Sequence, residues 1–350
     1  MQTRRLIPRR ADPRDPAVQQ AVGALCRGEL VAFPTETVYG LGADANSAVA
    51  VAAVYRAKRR PADNPLIVHL ADPAEAGRWG EIDQRGRALL DAFWPGPLTV
   101  VLRMRPPGLA AARGGATLAL RMPDHPLALA LIRACGRPLA APSANLSGRP
   151  SPTTADHVWD DLVGRIPWIL DGGPCGVGIE STVLDLSEDP PRILRPGHLD
   201  AETLAGVLDC PVLGESMDAT HRSPGTRYRH YQPRVPVALL EPAADDAQLA
   251  GWMALCRQQG LRVALLAPSG QTMDDVVFRA VADGAELQRR LYGLFRELEG
   301  MDVGVILVQA VAPEAAVMER LRRAASVVLS GASEAGALAP LLPNAPGAGA

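Results

Sequence analysis

The chain reads as an α/β protein in two parts: a larger mixed, open sheet with helices on its faces, followed by a smaller α/β unit. Three observations point there. Short apolar runs bounded by Pro or Gly alternate with helical stretches from residue 16 to residue 196. A polar, Pro- and Gly-rich stretch without periodicity then interrupts the pattern at 212–235. Beyond it the alternation resumes, and 350 residues suit about two domains.

The elements follow in order. Residues 16–28 read as an amphipathic helix, and ELVAFP at 29–34 as a buried strand stopped by its proline. NSAVAVAAVYRAKRR at 46–60 is Ala-rich and opens on an Asn/Ser cap, so it predicts a helix ending before Pro61. PLIVHL (65–70), LTVVLRM (98–104), LALRMP (118–123) and PLAAPSA predict strands, with helices near 81–93, 125–135 and 153–164 between or after them. WILDGG, STVLDLS and PRILRP, within 167–196, predict further strands. After the connector, VALLEP, a helix at 243–259, RVALLAP, a helix at 284–299, VGVILVQAV and a helix at 314–325 predict a Rossmann-like unit. The expected divisions are thus 14–211, the connector 212–235, 236–330, and a disordered tail 331–350.

Composition narrows the function classes. The formal net charge is −2, so no whole-protein basic field points to nucleic acid. Five scattered cysteines with no CxxC pair argue against a disulfide framework or a zinc site and predict a reducing cytoplasm. The N-terminus has no apolar core of a signal peptide, and no window approaches a membrane span. Among 36 basic residues only Lys58 is Lys.

No Walker A string, HExxH motif or GxSxG elbow is present. Gly40-Leu-Gly42-Ala-Asp-Ala45 satisfies a dinucleotide pattern, but PTETVY separates it from the preceding strand, which makes it a weak nicotinamide signature. More informative are polar turns beside strands. FPTETVYG puts Thr35 and Thr37 in a braced loop, where α/β folds place ligand contacts. Lys58, Arg59 and Arg60 end a helix, with Asn64 and His69 beyond, although cations at that end are also favoured by the helix dipole alone. Arg121 sits between an apolar strand and a proline turn, a costly place unless it meets an anion. APSANLSGRPSPT offers Ser143, Asn145, Ser147 and Ser151; DGGPCGVGIEST leads to Ser181; RPG adds Arg195. Together they make a site rich in cations and hydroxyls with few carboxylates, suited to several negative charges at once.

FPTETVYGLGADA, K-x-R-P-x-x-N-P-L-I-V-H, FWPGPLTVVL, LRMPDHP, APSANLSG, GIESTV and RPG, in this order, resemble the YrdC-type threonylcarbamoyl-AMP synthases. SPGTRYRHYQP and the unit after it resemble the long, two-domain form. The resemblance implies a YrdC-like twisted mixed sheet and a reaction in which L-threonine, bicarbonate and ATP give threonylcarbamoyl-AMP and pyrophosphate. Mg²⁺ would accompany the ATP, and a downstream tRNA threonylcarbamoyl transferase complex would take the product. It further implies threonine or bicarbonate contacts from Thr35, Thr37, His69, Arg121, Ala141 and Ser181. Nucleotide contacts would come from Lys58, Arg60, Asn64, Thr117, Ser143, Asn145, Ser151 and Arg195, with His230 and Tyr231 in a connector acting as a lid. Lys58 and Arg60 are the expected catalytic cations, no metal ligand is expected among the side chains, and no membrane or stable nucleic-acid partner is expected.

The competing reading is a structured-RNA-binding module without catalysis. Net charge and an aromatic content of 4% argue against it. Within the enzyme reading, Lys58→Arg is expected to cost activity nearly as much as Lys58→Ala with the fold intact, because a planar guanidinium does not replace a compact ammonium.

Overall fold

The computed structural model describes residues 1–61, 64–112, 114–214, 230–241, 244–268, 276–309, 314–330 and 335–341. The chain divides into two compact units, Met1–Ser147 with Ser151–Tyr228, and Gly148–Pro150 with Arg229–Ala350. Most of the expected connector and lid, residues 215–229, lies outside the described residues.

The first unit carries ten strands in one mixed sheet: β1 (Arg4–Leu6), β2 (Val31–Phe33), β3 (Gly40–Asp44), β4 (Ile67–His69), β5 (Leu98–Arg103), β6 (Thr117–Arg121), β7 (Leu139–Ala140), β8 (Trp168–Leu170), β9 (Thr182–Asp185) and β10 (Arg192–Arg195). Their order is β1-β8-β2-β3-β7-β4-β6-β5-β9-β10. The central strands are apolar and buried on both faces, as covered sheets require. Helices α1 (Pro16–Cys26) and α2 (Ala48–Lys58) lie where their patterns predict them. Asp15 caps the first through Ala17 N–H, and Ser47 caps the second through Ala50 N–H. Then come α3 (Ala76–Trp79), α4 (Gln84–Phe93), α5 (Pro126–Cys135), α6 (Ala155–Leu162) and α7 (Ala201–Leu208).

Two strands run against the sequence pattern. The Gly40–Ala45 string is no phosphate loop: its first five residues form β3, antiparallel to both β2 and β7. A side chain at Gly42 would stand 2.8 Å from the Phe33 ring, so glycine is what lets that ring lie flat on the neighbouring strand. The charged β1 pairs in parallel with β8, and Arg5 is held there by Asp156 and Asp171.

In the second unit β11 (Val237–Leu240), β12 (Val263–Ala267), β13 (Val277–Ala280), β14 (Val305–Gln309) and β15 (Val327–Leu329) form a sheet of order β13-β12-β14-β11-β15. Every pairing is parallel, the Rossmann-like feature expected of it. Helices α8 (Asp246–Gln258), α9 (Gly284–Glu299) and α10 (Ala315–Ala324) make the crossovers. Part of the span expected to be a disordered tail, Ala335–Leu341, is instead a 3-10 helix. Leu338 and Leu341, one turn apart, are buried in the core of this unit, and that apolar contact is what orders it. Tyr231 belongs to this unit too, with its ring stacked 5.5 Å from Tyr292 and the Arg320 guanidinium 5.2 Å above it.

Among the described residues no helix is long and apolar enough to cross a membrane. All five cysteines are free.

Candidate active site

The site is organised by a row across the sheet. His69 ends β4 opposite Arg121 of β6, which in turn lies opposite Thr99 of β5. Directly opposed residues share a face, so these three side chains stand side by side. Ser181, just before β9, extends the row: its hydroxyl lies 2.7 Å from that of Thr99. Arg195, at the end of β10, donates to the Ser181 carbonyl at 2.9 Å and to its hydroxyl at 3.1 Å. The glycine of RPG makes this approach feasible, because a Cβ on Gly197 would stand 2.2 Å from Thr182 N.

The loop between β2 and β3 closes over this row. Thr35 and Thr37 hydroxyls are 2.9 Å apart, and both residues are fully buried. Arg121 Nη2 donates to Thr37 Oγ1 at 2.9 Å and to Glu36 Oε1 at 2.5 Å, while its Nε reaches Gly96 O at 3.4 Å. None of these bonds uses Nη1. Val177 N–H and Gly178 N–H donate to the Glu36 and Thr37 carbonyls, so the glycine-rich turn at 172–178 braces the loop from outside. Ala141, at the end of β7, donates its N–H to Ile67 O and packs against Gly40.

A second group surrounds Lys58, the last residue of α2. Its ammonium donates to Ser143 O at 2.5 Å, Asn145 O at 2.6 Å and Asn145 Oδ1 at 3.3 Å, which uses all three donors of a lysine. Ser143 Oγ donates to the same Asn145 amide oxygen at 2.6 Å, and Ser147 N–H returns to the Lys58 carbonyl. Lys58 thereby locks the turn 143–147 to the end of α2. Arg60 donates to Asn64 O and Pro65 O, and Tyr55 OH also donates to Asn64 O, which fixes the loop beyond the helix. Ser151 Oγ donates to Glu180 Oε1 at 2.5 Å, next to Ser181, and so joins the two groups.

Burial sets the electrostatics. Loss of solvent, and then the Arg121 charge, push the His69 pKa down to about 3, so its imidazole is neutral in the physiological range. Burial and the Arg60 charge lower the Lys58 pKa, while Asp161 and Glu180 act to raise it. Burial drives the Cys175 thiol up to about 12, so it stays protonated beside the threonine loop. Among the described residues no group of three or more His, Cys, Asp or Glu side chains is placed to hold a metal ion.

The residues singled out from the sequence within the first unit fall into this arrangement, apart from Thr117. Thr117 opens β6, four residues from Arg121, which at the strand rise places it about 13 Å along the sheet. His230 and Tyr231 lie in the other unit. Three partners went unread: Glu36, Thr99 and Glu180. The expectation of few carboxylates overlooked what must balance a buried arginine, and that need is the signal that points to Glu36.

Comparisons with known proteins identify the family. Residues 23–197 match the Sua5, YciO and YrdC family, described as "Telomere recombination", and residues 199–326 match "Threonylcarbamoyl-AMP synthase, C-terminal domain". The threonylcarbamoyl-AMP synthase of Bacillus subtilis is 43% identical over 326 residues, spanning 89% of this chain and 93% of its own. This chain belongs to the threonylcarbamoyl-AMP synthase family. The synthase of Pyrococcus abyssi is likewise 43% identical, over 88% of this chain and 93% of that one. The crystal structure of P. abyssi Sua5 complexed with L-threonine matches with a TM-score of 0.85 at 38% identity, covering 94% of this chain and all of that one. As a threonylcarbamoyl-AMP synthase the chain is an enzyme of the nucleotidyl-transfer type, and the reading as an RNA-binding module without catalysis is not favoured.

Proposed function

We propose that this synthase carboxylates L-threonine with bicarbonate and adenylates the carbamate with magnesium-bound ATP. Pyrophosphate leaves, and the product passes to a transferase complex that modifies adenosine beside the tRNA anticodon, all in the cytoplasm. The observation that carries this reading is Arg121: a buried guanidinium whose Nη2 is held by Glu36 and Thr37 while Nη1 is engaged by no hydrogen bond. An unengaged guanidinium donor beside the threonine loop has capacity for a further anion, and an amino-acid carboxylate fits its planar fork. The P. abyssi relative was crystallised with L-threonine, which supports threonine as the amino acid.

In this reading Arg121 takes the threonine carboxylate, with Thr35, Thr37, neutral His69, the Ala141 backbone and Ser181 around the amino acid. Thr99 and Arg195 orient the Ser181 hydroxyl. Arg60, Asn64, Ser143, Asn145, Ser151 and Arg195 receive the nucleotide. Lys58 holds the 143–147 turn in place, and its longest bond, to Asn145 Oδ1, is the one most readily exchanged for a phosphate oxygen. Carboxylate, carbamate and triphosphate are all anionic, so positioning and neutralisation of developing charge supply most of the catalysis. No covalent enzyme intermediate is required. Mg²⁺ bound with ATP would share the charge of the phosphates.

Pyrophosphate release from ATP and Mg²⁺ tests the proposal. Release must depend on both threonine and bicarbonate; turnover that persists without either one excludes the reaction.

A further inference from the structure

Glu36 is left with an unexplained atom. Its side chain is 12% exposed, Oε1 accepts from Arg121, and Oε2 is buried with no hydrogen-bond donor from the protein. A desolvated carboxylate oxygen without a donor is costly, and such atoms are nearly always satisfied by protein, water or ligand. It lies in the loop between the two threonines, on the same guanidinium whose Nη1 is unengaged. An open acceptor and an open donor joined through one ion pair complement a zwitterion: the guanidinium takes a carboxylate and the carboxylate oxygen takes an ammonium.

We propose that Glu36 binds the ammonium of L-threonine through Oε2 and accepts its proton. This rests on the reading of the site as a threonine-carboxylating centre. The ammonium has no lone pair and cannot attack carbon. When one N–H bond breaks, its electron pair stays on nitrogen and the proton passes to Oε2. The amine lone pair then forms the N–C bond to the carbon of bicarbonate. Hydroxide departs from that carbon and leaves as water with a second proton from nitrogen, giving the carbamate. Glu36 returns its proton to solvent before the next turnover. The other groups facing Glu36 are Arg121 from β6, His125 at the start of α5 and Cys175 from the glycine-rich turn. Cys175 stays protonated and His125 Nδ1 already accepts from Leu127 N–H; neutral His69, opposite Arg121, also has a buried Nδ1 without a donor, and Glu36 Oε2 is the acceptor that carries a negative charge to match an ammonium.

The test is pyrophosphate release by the full-length protein, with ATP and bicarbonate saturating and threonine varied, for wild type, Glu36→Gln and Glu36→Asp across neutral to alkaline pH. Glu36→Gln keeps the shape and loses the base, so at neutral pH kcat is expected to fall about a hundredfold. It should recover toward wild type as the pH passes the pKa of the amine, when threonine arrives already deprotonated. Glu36→Asp keeps a base and should show the wild-type profile shape at lower rate. Calorimetry with L-threonine alone at neutral pH should show weaker binding to Glu36→Gln, with ATP binding unchanged. A Glu36→Gln deficit of the same size at every pH overturns the proton transfer, and unchanged threonine affinity overturns the contact. If wild type itself shows no threonine- and bicarbonate-dependent release, the parent reading fails, and the threonine calorimetry still reports on the Glu36 contact.

Discussion

Replacing Lys58 by Arg keeps the charge and changes only its shape, which makes it the sharpest probe of the site. Lys58 is 1% exposed, and its ammonium sits 2.5 and 2.6 Å from two main-chain carbonyls. Lys58→Ala strands both, at about 1–3 kcal/mol each, or about 2–6 kcal/mol together. Arg offers donors but needs more width than the ammonium occupies. Overpacking at a closed site costs about 1–3 kcal/mol, equivalent to a thermal midpoint lowered by about 2–12 °C for a domain of this size. The expectation from sequence, that the arginine variant loses activity with its fold intact, is therefore revised: stability falls with activity, because the ammonium also anchors the 143–147 turn. The assays are urea unfolding and pyrophosphate release on wild type and both variants. Both substitutions should lower the unfolding midpoint, Ala more than Arg, and both should abolish most turnover. A Lys58→Arg protein with wild-type midpoint and rate would refute the argument, since it would show that neither the tight oxygen cage nor the compact ammonium matters.

Three further outcomes follow from the geometry. His69 has a folded pKa of about 3 against 6.5 unfolded, so between those values the unfolded chain binds more protons and stability is lost as pH falls. Going from pH 7 to pH 5 should remove about 2 kcal/mol through this residue, a loss absent in His69→Gln when urea midpoints are compared. Gly197→Ala drives a methyl into the Thr182 backbone, 2.2 Å away, where nothing flexible can yield. It should destabilise by about 3 kcal/mol in thermal melts and weaken threonine binding by displacing Ser181. Chelating Mg²⁺ with EDTA should stop pyrophosphate release while leaving threonine affinity, measured by calorimetry, unchanged; equal turnover in EDTA contradicts a role for the metal in ATP binding.

Most of the site was legible because its residues sit where pattern meets punctuation. Thr35, Ser143 and Arg195 adjoin a proline close to a strand end, and Arg121 and Ser181 stand at strand ends within three residues of Pro123 and Gly178, where a polar side chain is not read as core. What stayed hidden depends on distant partners. Gly40–Asp44 resembles a loop because its glycines lack β propensity, and only the Phe33 ring pressed on Gly42 explains why it is a central strand. The strand Arg4–Leu6 gains its order from Trp168–Leu170, more than 160 residues away. Glu36 followed the same logic in reverse. Between two threonines it reads as ordinary loop polarity, and it becomes informative only once Arg121, 85 positions later, is seen to take one of its oxygens and leave the other without a donor. Composition and spacing thus locate cations and hydroxyls, which are recognised one at a time. The roles of the carboxylates are pairwise, and they emerge only when the fold brings both partners into one desolvated place.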